Sequence, residues 1–317
     1  TKMEKKNLIV LIGFAIILIF FSVYATKIGF HDSYEYVTIA KHFAGIKNMN
    51  LFSGHSLLYP LITGLFLKIW PSLIMLKLVN MLFVFLIALI MIAWLKNYKA
   101  FIIFIFFFFT YYAGIQTTPV LPAALSFFIA FIFFYKKNIK YNEYLTGIFL
   151  GLSFALYTPM LLAIITFILI YYWRSSFGKI IKFLISTIIG YLPRMIQDTY
   201  LFKNPIYSLI RYFGSNFVRF IGIHPTPGSH GLVNLLLILF LLIAISPLFF
   251  RLHRFKYKKN KKLIWLLIIL SILFIFGGGR AKTFIILSPI FSLMLAKVLS
   301  VKEIKWHCMI SIIIIVI

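Results

Sequence analysis

Apolar runs of about 20 residues, the length that a helix needs to cross a bilayer, recur from one end of this chain to the other. They constrain its fold more than any other feature. A helix satisfies its backbone hydrogen bonds within one segment, so helices are the elements that such runs predict in lipid. Hydrophobic residues make up 62% of the 317 residues, more than a soluble domain carries. The sequence predicts an all-α polytopic membrane protein, with residues 1–317 as a single integral membrane domain.

The apolar runs divide the chain into about 11–12 predicted transmembrane helices. The candidate spans are 8–25, 73–95, 100–115, 119–135, 144–158, 159–173, 179–195, 232–250, 263–277, 283–299 and 308 onward. Segment 57–70 is short and ends at Pro71, which predicts a re-entrant or juxtamembrane piece. The first run lacks a small-residue cleavage site, so we expect a retained signal anchor. The chain ends inside an apolar run, so we expect it to be cut at its C-terminus.

The cations indicate how the spans are oriented. The chain has 32 Lys and Arg against 6 Asp and Glu, a net charge of +26. These cations lie in short loops between apolar runs, which favours topology signals and anionic lipid head groups over nucleic acid. The cation-rich loops, expected in the cytoplasm, are 1–6, 96–99, 136–143, 174–182, 251–262 and 302–305. Loop 26–56 and the second long loop, 194–231, then face the outside or the periplasm.

Two of the six acidic residues, Asp32 and Glu35, lie three residues apart in the first polar stretch, 29–60. One interpretation is a helix N-terminus, with Asp32 as the N-cap and Glu35 at N3 of a capping box. The other is a catalytic carboxylate at the membrane face. Asp198 is the third acid on the predicted outer side, and its i, i+4 spacing from Arg194 predicts a structural ion pair.

Several kinds of site are absent from the sequence. The single cysteine, Cys308, excludes a disulfide framework and a cysteine metal site. No dinucleotide, Walker A, zinc-protease, CxxC or GxSxG pattern occurs. We therefore expect no cofactor and no metal site, and nothing in the sequence supports a divalent metal.

The stretch HDSYEYVTIAKHFAG, followed by GHSLLYP, resembles the first extracytoplasmic loop of GT-C fold glycosyltransferases. These enzymes depend on polyprenyl-phosphate sugars and include protein O-mannosyltransferases and the aminoarabinose transferase of lipid A. Asp32, Ser33, Tyr36 and Ala40 fit the family pattern. Three later stretches resemble family elements in the same order: 147–159, 191–208 and 278–296. The chain departs from the pattern in three places: it has no cation after Tyr157, no carboxylate in GIQTTPVLP, and Lys203 where glycine is usual.

The resemblance implies a GT-C-like bundle with a catalytic first extracytoplasmic loop. It implies a membrane glycosyltransferase, hexosyl or pentosyl, that transfers sugar with inversion from a lipid-phosphate donor to an acceptor hydroxyl. Asp32 occupies the position of the general base. Arg280 and Lys282, and then Arg194, are expected to hold the leaving phosphate. The full set of expected substrate-binding residues is Glu35, Tyr36, His55, Arg194, Arg280 and Lys282. The expected partners are the lipid-linked donor, membrane lipids and an acceptor that the sequence does not identify.

Other classes of protein stay open at this point. A transporter or flippase of lipid-linked sugars would carry ionisable residues inside its spans, and Lys77 within 73–95 is the candidate. A polysaccharide polymerase or ligase would use outer arginines and histidines, with loop 194–231 as its active element. A non-catalytic subunit would have lost the second acidic site.

Overall fold

The computed structural model describes most of the chain, and its described residues are helical with no β-strand among them. The described residues are 5–24, 31–51, 55–110, 117–135, 141–172, 176–220, 246–248, 250, 264–266, 268–271 and 281–316. Over these residues the predicted all-α fold is confirmed.

The longer helices of the described part are numbered here in chain order. They are α1 Lys5–Tyr24, α2 His31–Phe43, α3 Leu58–Ile69, α4 Leu73–Leu89, α5 Tyr98–Thr110, α6 Val120–Tyr135, α7 Asn142–Leu156, α8 Leu161–Phe167, α9 Phe177–Phe202, α10 Tyr207–Phe220, α11 Ala281–Val298 and α12 Val301–Val316. A 3₁₀ turn, Thr158–Met160, precedes α8. Turns of π-helix extend α4 over Ile90–Trp94 and α8 over Ile168–Tyr172.

Three helical stretches in the described part are long and apolar enough to cross a membrane: Lys5–Tyr24, Leu73–Trp94 and Phe177–Phe202. This agrees with an α-helical membrane protein. Other predicted spans are present as shorter apolar helices, such as α5 with 13 residues and α6 with 16. At about 1.5 Å per residue these rise roughly 20 Å, less than the ~30 Å hydrocarbon core. The predicted spans 232–250 and 263–277 lie largely outside the described residues.

The outer faces of the long helices are apolar, as lipid contact requires. On α9 the isoleucines at 185, 188 and 196 are exposed, although the opposite face of the same helix is buried. On α1, Ile9 and Ile16 are exposed in the same way. A helix that buries its polar side chains and exposes its apolar ones has the pattern expected in a bilayer.

The crossing of α7 and α9 is the tightest helix contact in the described part, and glycine allows it. A Cβ added at Gly151 would overlap the backbone carbonyl of Thr187, and one at Gly190 would overlap that of Ile148. Small residues let membrane helices approach this closely. Helix α6 packs on α7, α11 packs on α5 and α6, and α2 packs on α3. The crossing fixes Thr158, just after α7, relative to Arg194, one turn beyond Gly190.

Two sequence expectations about helix ends need correction. The predicted loop 194–231 begins as helix, because α9 continues to Phe202 and α10 follows from Tyr207; residues 221–231 lie outside the described part. Helix α2 is already helical at His31, so Asp32 lies in its first turn rather than before it. The capping box that the structure does show is at α12, where Ser300 N–H donates to Glu303 Oε2 at 2.8 Å.

Candidate functional site

Helix α2 brings Glu35 and Tyr36 against His55. The Glu35 Oε2 atom lies 3.9 Å from His55 Nε2, and about a third of each side chain is exposed. The Tyr36 ring lies 5.7 Å from the His55 ring on one side and 5.7 Å from the Tyr59 ring on another. Three of the predicted substrate-binding residues are therefore neighbours, with Tyr36 buried beneath the partly exposed Glu35 and His55.

Buried hydrogen bonds hold the His55 segment in place. The Ser56 hydroxyl donates to the Ala155 carbonyl, near the end of α7, at 2.6 Å. The Tyr59 hydroxyl donates to Asn80 Oδ1 of α4 at 2.7 Å, and both side chains are buried. Hydrogen-bonded polar groups in a buried setting restrict the segment to one arrangement. His55 is thus positioned by two helices, α4 and α7, that are remote from it in sequence.

Arg194 lies on α9 and is completely buried. Its Nε donates to Ser208 Oγ at 2.8 Å, and its Nη1 donates to Thr158 Oγ1 at 2.8 Å. The Ser208 hydroxyl in turn donates to Asp198 Oδ2 at 2.6 Å, and the Ser208 N–H donates to the same oxygen at 3.0 Å. The predicted pair of Arg194 and Asp198 is therefore joined through Ser208 rather than by direct contact.

Ser208 can serve this role because it lies in the first turn of α10. The first N–H groups of a helix have no partner within the helix, and a carboxylate is stabilised near that end by the helix dipole. Asp198 supplies that carboxylate from α9. The chain reverses between the two helices at Lys203, whose φ of 56° is left-handed, and at Asn204, whose Oδ1 accepts from Ile206 N–H at 3.1 Å. The reversal places α10 back on α9.

Helix α10 connects the Glu35–His55 pair to the buried arginine. Ser208, which accepts a hydrogen bond from Arg194 Nε, lies one turn before Tyr212 on α10. The Tyr212 ring in turn lies 6.4 Å from the His55 ring. Glu35, Tyr36, His55 and Arg194 therefore belong to one continuous site formed by α2, the segment at residue 55, α9 and α10.

The remaining predicted residues are not placed at atomic detail. Asp32 lies in the first turn of α2 and Lys282 in the first turn of α11, but their side chains lie outside the described part. Arg280 lies outside the described residues altogether. Their roles stay predictions. No group of three His, Cys, Asp or Glu side chains suited to a metal occurs among the described residues.

Sequence reasoning missed Ser208, Tyr212 and Gln197. Ser208 is ten residues from Asp198 and fourteen from Arg194, a separation that no local pattern reports. The Asn204-Pro205 dipeptide signals a chain reversal, which brings α10 back without specifying which of its residues meets α9.

Comparisons with protein-family models, with curated proteins and with solved structures gave no match to this chain.

Proposed function

We propose that this chain is a multi-pass glycosyltransferase of the cell membrane. It transfers a hexosyl or pentosyl group, with inversion, from a polyprenyl-phosphate donor to an acceptor hydroxyl at the extracytoplasmic face. One observation carries the proposal. Glu35, Tyr36 and His55 were expected from the sequence to bind substrate, and they meet although they come from two separate segments.

The acceptor hydroxyl needs a base, because it must lose a proton as it attacks the anomeric carbon. Asp32 occupies the general-base position implied by the resemblance. It lies one turn before Glu35 on α2, so the two positions are close on the helix surface. The half-exposed Glu35–His55 pair adds a carboxylate and an imidazole that can orient the acceptor.

The leaving phosphate needs positive charge. Arg194 suits this role poorly, because its positive charge is already offset by the negative charge of Asp198, to which Ser208 joins it by hydrogen bonds. We therefore assign the phosphate to Arg280 and Lys282. Lys282 lies in the first turn of α11, where the N-terminal N–H groups and the helix dipole also favour an anion.

A transporter of lipid-linked sugars is the second candidate, because Lys77 is buried inside α4. An ionisable residue inside a span is a functional hypothesis by default. Lys77 is the fifth residue of α4, which begins at Leu73. It therefore lies about 6 Å from the helix end, whereas transporter sites lie near the bilayer midplane. This position favours the transferase.

The test uses the full chain purified into lipid nanodiscs, with radiolabelled polyprenyl-phosphate sugars as donors and source membranes as acceptors. We expect Asp32→Asn to lower transfer on the order of 100- to 10,000-fold, the usual value of a general base. Glu35→Gln should lower transfer much less. Glu143→Gln is the matched control, because that carboxylate, in the first turn of α7, lies 3.6 Å from Lys179 in the first turn of α9, and both helix ends are predicted to be cytoplasmic.

Rates are compared at equal amounts of folded protein, because both changes on α2 lie near its start. Normal turnover by Asp32→Asn would refute the choice of base. If the wild-type chain transfers label from no hexosyl or pentosyl donor, the glycosyltransferase proposal fails.

A further inference from the structure

Three neighbouring side chains on one face of α9 keep polar atoms that no described residue satisfies, as does the hydroxyl of Tyr191 one turn earlier. The atoms on the three side chains are Nη2 of Arg194, both Nε2 and Oε1 of Gln197, and Oδ1 of Asp198. The three residues are 0%, 7% and 0% exposed. Their spacing of i, i+3 and i+4 places them side by side on the helix. Buried polar groups in proteins are nearly always hydrogen-bonded, so these atoms indicate a site that accepts a polar ligand.

The charges and hydrogen-bonding capacities of this face define the ligand's chemistry. The guanidinium of Arg194 and the carboxylate of Asp198 balance each other through Ser208, so the face requires no net charge from a ligand. Arg194 Nη2 and Gln197 Nε2 are donors, whereas Gln197 Oε1 and Asp198 Oδ1 are acceptors. A deprotonated phosphate or carboxylate offers acceptors only, and it would meet Asp198 Oδ1 with like charge. A hydroxyl group both donates and accepts, so a neutral ligand with several hydroxyls matches the whole set.

We propose that the face formed by Arg194, Gln197 and Asp198 binds the hydroxyl groups of a sugar residue. The identity of the molecule that carries this sugar rests on the proposed function, but the hydroxyl chemistry does not. Arg194 donates to Ser208, one turn before Tyr212 on α10, and the Tyr212 ring lies 6.4 Å from the His55 ring. The bound hydroxyls would therefore lie on the buried side of the Glu35–His55 pair, while the phosphate binds elsewhere.

Gln197 is the informative position for a test. Arg194 and Asp198 also hold Thr158 and Ser208, so changing either would disturb the fold. The Gln197 side chain makes no hydrogen bond to the described residues, and leucine has a similar size without polar atoms. Removing a buried unsatisfied polar group is neutral or stabilising. We therefore expect Gln197→Leu to melt at or above the wild-type temperature without ligand, yet to bind sugar more weakly.

The experiment is saturation-transfer NMR on the full chain in nanodiscs with a panel of methyl hexosides and methyl pentosides. At least one glycoside should bind the wild-type chain. Its affinity for Gln197→Leu should fall about tenfold, the effect of losing two neutral hydrogen bonds. Thr199→Val is the matched control, because it removes a hydroxyl from the exposed face of the same helix. This variant should bind the glycoside as the wild type does.

Three results would overturn the inference: no glycoside binds the wild type, Gln197→Leu binds as tightly, or Gln197→Leu melts below the wild type. The last result would make Gln197 a structural residue that is hydrogen-bonded within the chain.

Radiolabel transfer distinguishes failure of this inference from failure of the proposed function. Glycoside binding without transfer from any polyprenyl-phosphate donor would support the sugar site and refute the transferase proposal. Transfer by Gln197→Leu with unchanged KM values for both donor and acceptor would support the transferase and refute the sugar site.

Discussion

The crossing of α7 and α9 makes Gly190→Ala a sharp test of how the site is positioned. A Cβ at Gly190 would overlap the Ile148 carbonyl oxygen and lie 2.8 Å from its carbon and 2.9 Å from Leu152 N. All three are backbone atoms of α7, so no side-chain rotation relieves the contact. The two helices would have to separate.

The magnitude follows from two opposing effects. Overpacking a tight contact costs typically ~1–3 kcal/mol, and three backbone contacts place this site near the upper end. Alanine recovers about 1 kcal/mol of helix propensity over glycine. We therefore expect Gly190→Ala to lower the free energy of unfolding by about 2 kcal/mol. Gly178 on the same helix has no atom within 4 Å of an added Cβ, so Gly178→Ala should raise stability by up to ~1 kcal/mol.

The assay is denaturant unfolding in micelles followed by tryptophan fluorescence, with the two alanine variants and wild type side by side. A Gly190→Ala protein as stable as Gly178→Ala would refute the close crossing. The same variant should weaken sugar binding, because the crossing holds Arg194 Nη1 at 2.8 Å from Thr158 Oγ1. Loss of stability with unchanged sugar binding would show that the crossing of α7 and α9 does not position the site.

Three further predictions concern single positions. Lys203 adopts a left-handed φ of 56° at the end of α9, so Lys203→Gly should raise the free energy of unfolding by roughly 0.5–1 kcal/mol, measured by the same titration; a loss would contradict the helix end described above. Arg280→Ala should weaken donor binding by about 1.5–3 kcal/mol in a filter-binding assay, and unchanged affinity would leave Arg280 as an interfacial cation. In a Cys308→Ser background, a cysteine at position 55 should react with an impermeant thiol reagent from outside, and one at 258 only after permeabilisation. The opposite pattern would invert the topology.

The helices could be predicted because apolar runs report them directly. The predicted spans 73–95 and 144–158 match helical stretches at Leu73–Trp94 and Asn142–Leu156 to within two residues at each end. The length of helix α9 was underestimated, since the predicted span ends at residue 195 whereas the helix continues to Phe202. Its polar residues recur on one face while Ile196 and Tyr200 stay exposed on another, which is the period of an amphipathic helix. The periodicity of 194–202, rather than its mean hydropathy, was the signal for helix.

The sequence predicted some of the residues that lie together in the structure, but not the contacts that join them. Glu35, Tyr36 and Arg194 were expected from motif order, whereas the relay through Ser208 depends on how α10 folds back after Lys203. The left-handed conformation of Lys203 could not be predicted from the sequence, because lysine rarely adopts that conformation. The angle of the reversal decides that Ser208, and no other residue of α10, reaches Asp198.

The relay also changes which cation can hold the phosphate. From the sequence, Arg194 is one of several outer cations and a reasonable phosphate ligand. In the structure its charge is buried with that of Asp198, and a further anion there would leave an uncompensated negative charge in a poorly solvated place. In the proposed transfer reaction the leaving phosphate would gain charge as the glycosidic bond breaks, so this penalty would grow rather than shrink. The neutral pair therefore favours binding of uncharged hydroxyls by α9. In the proposed transferase the cations for phosphate would come from another part of the chain, and the candidates are Lys282, in the first turn of α11, and Arg280, two residues earlier in the sequence.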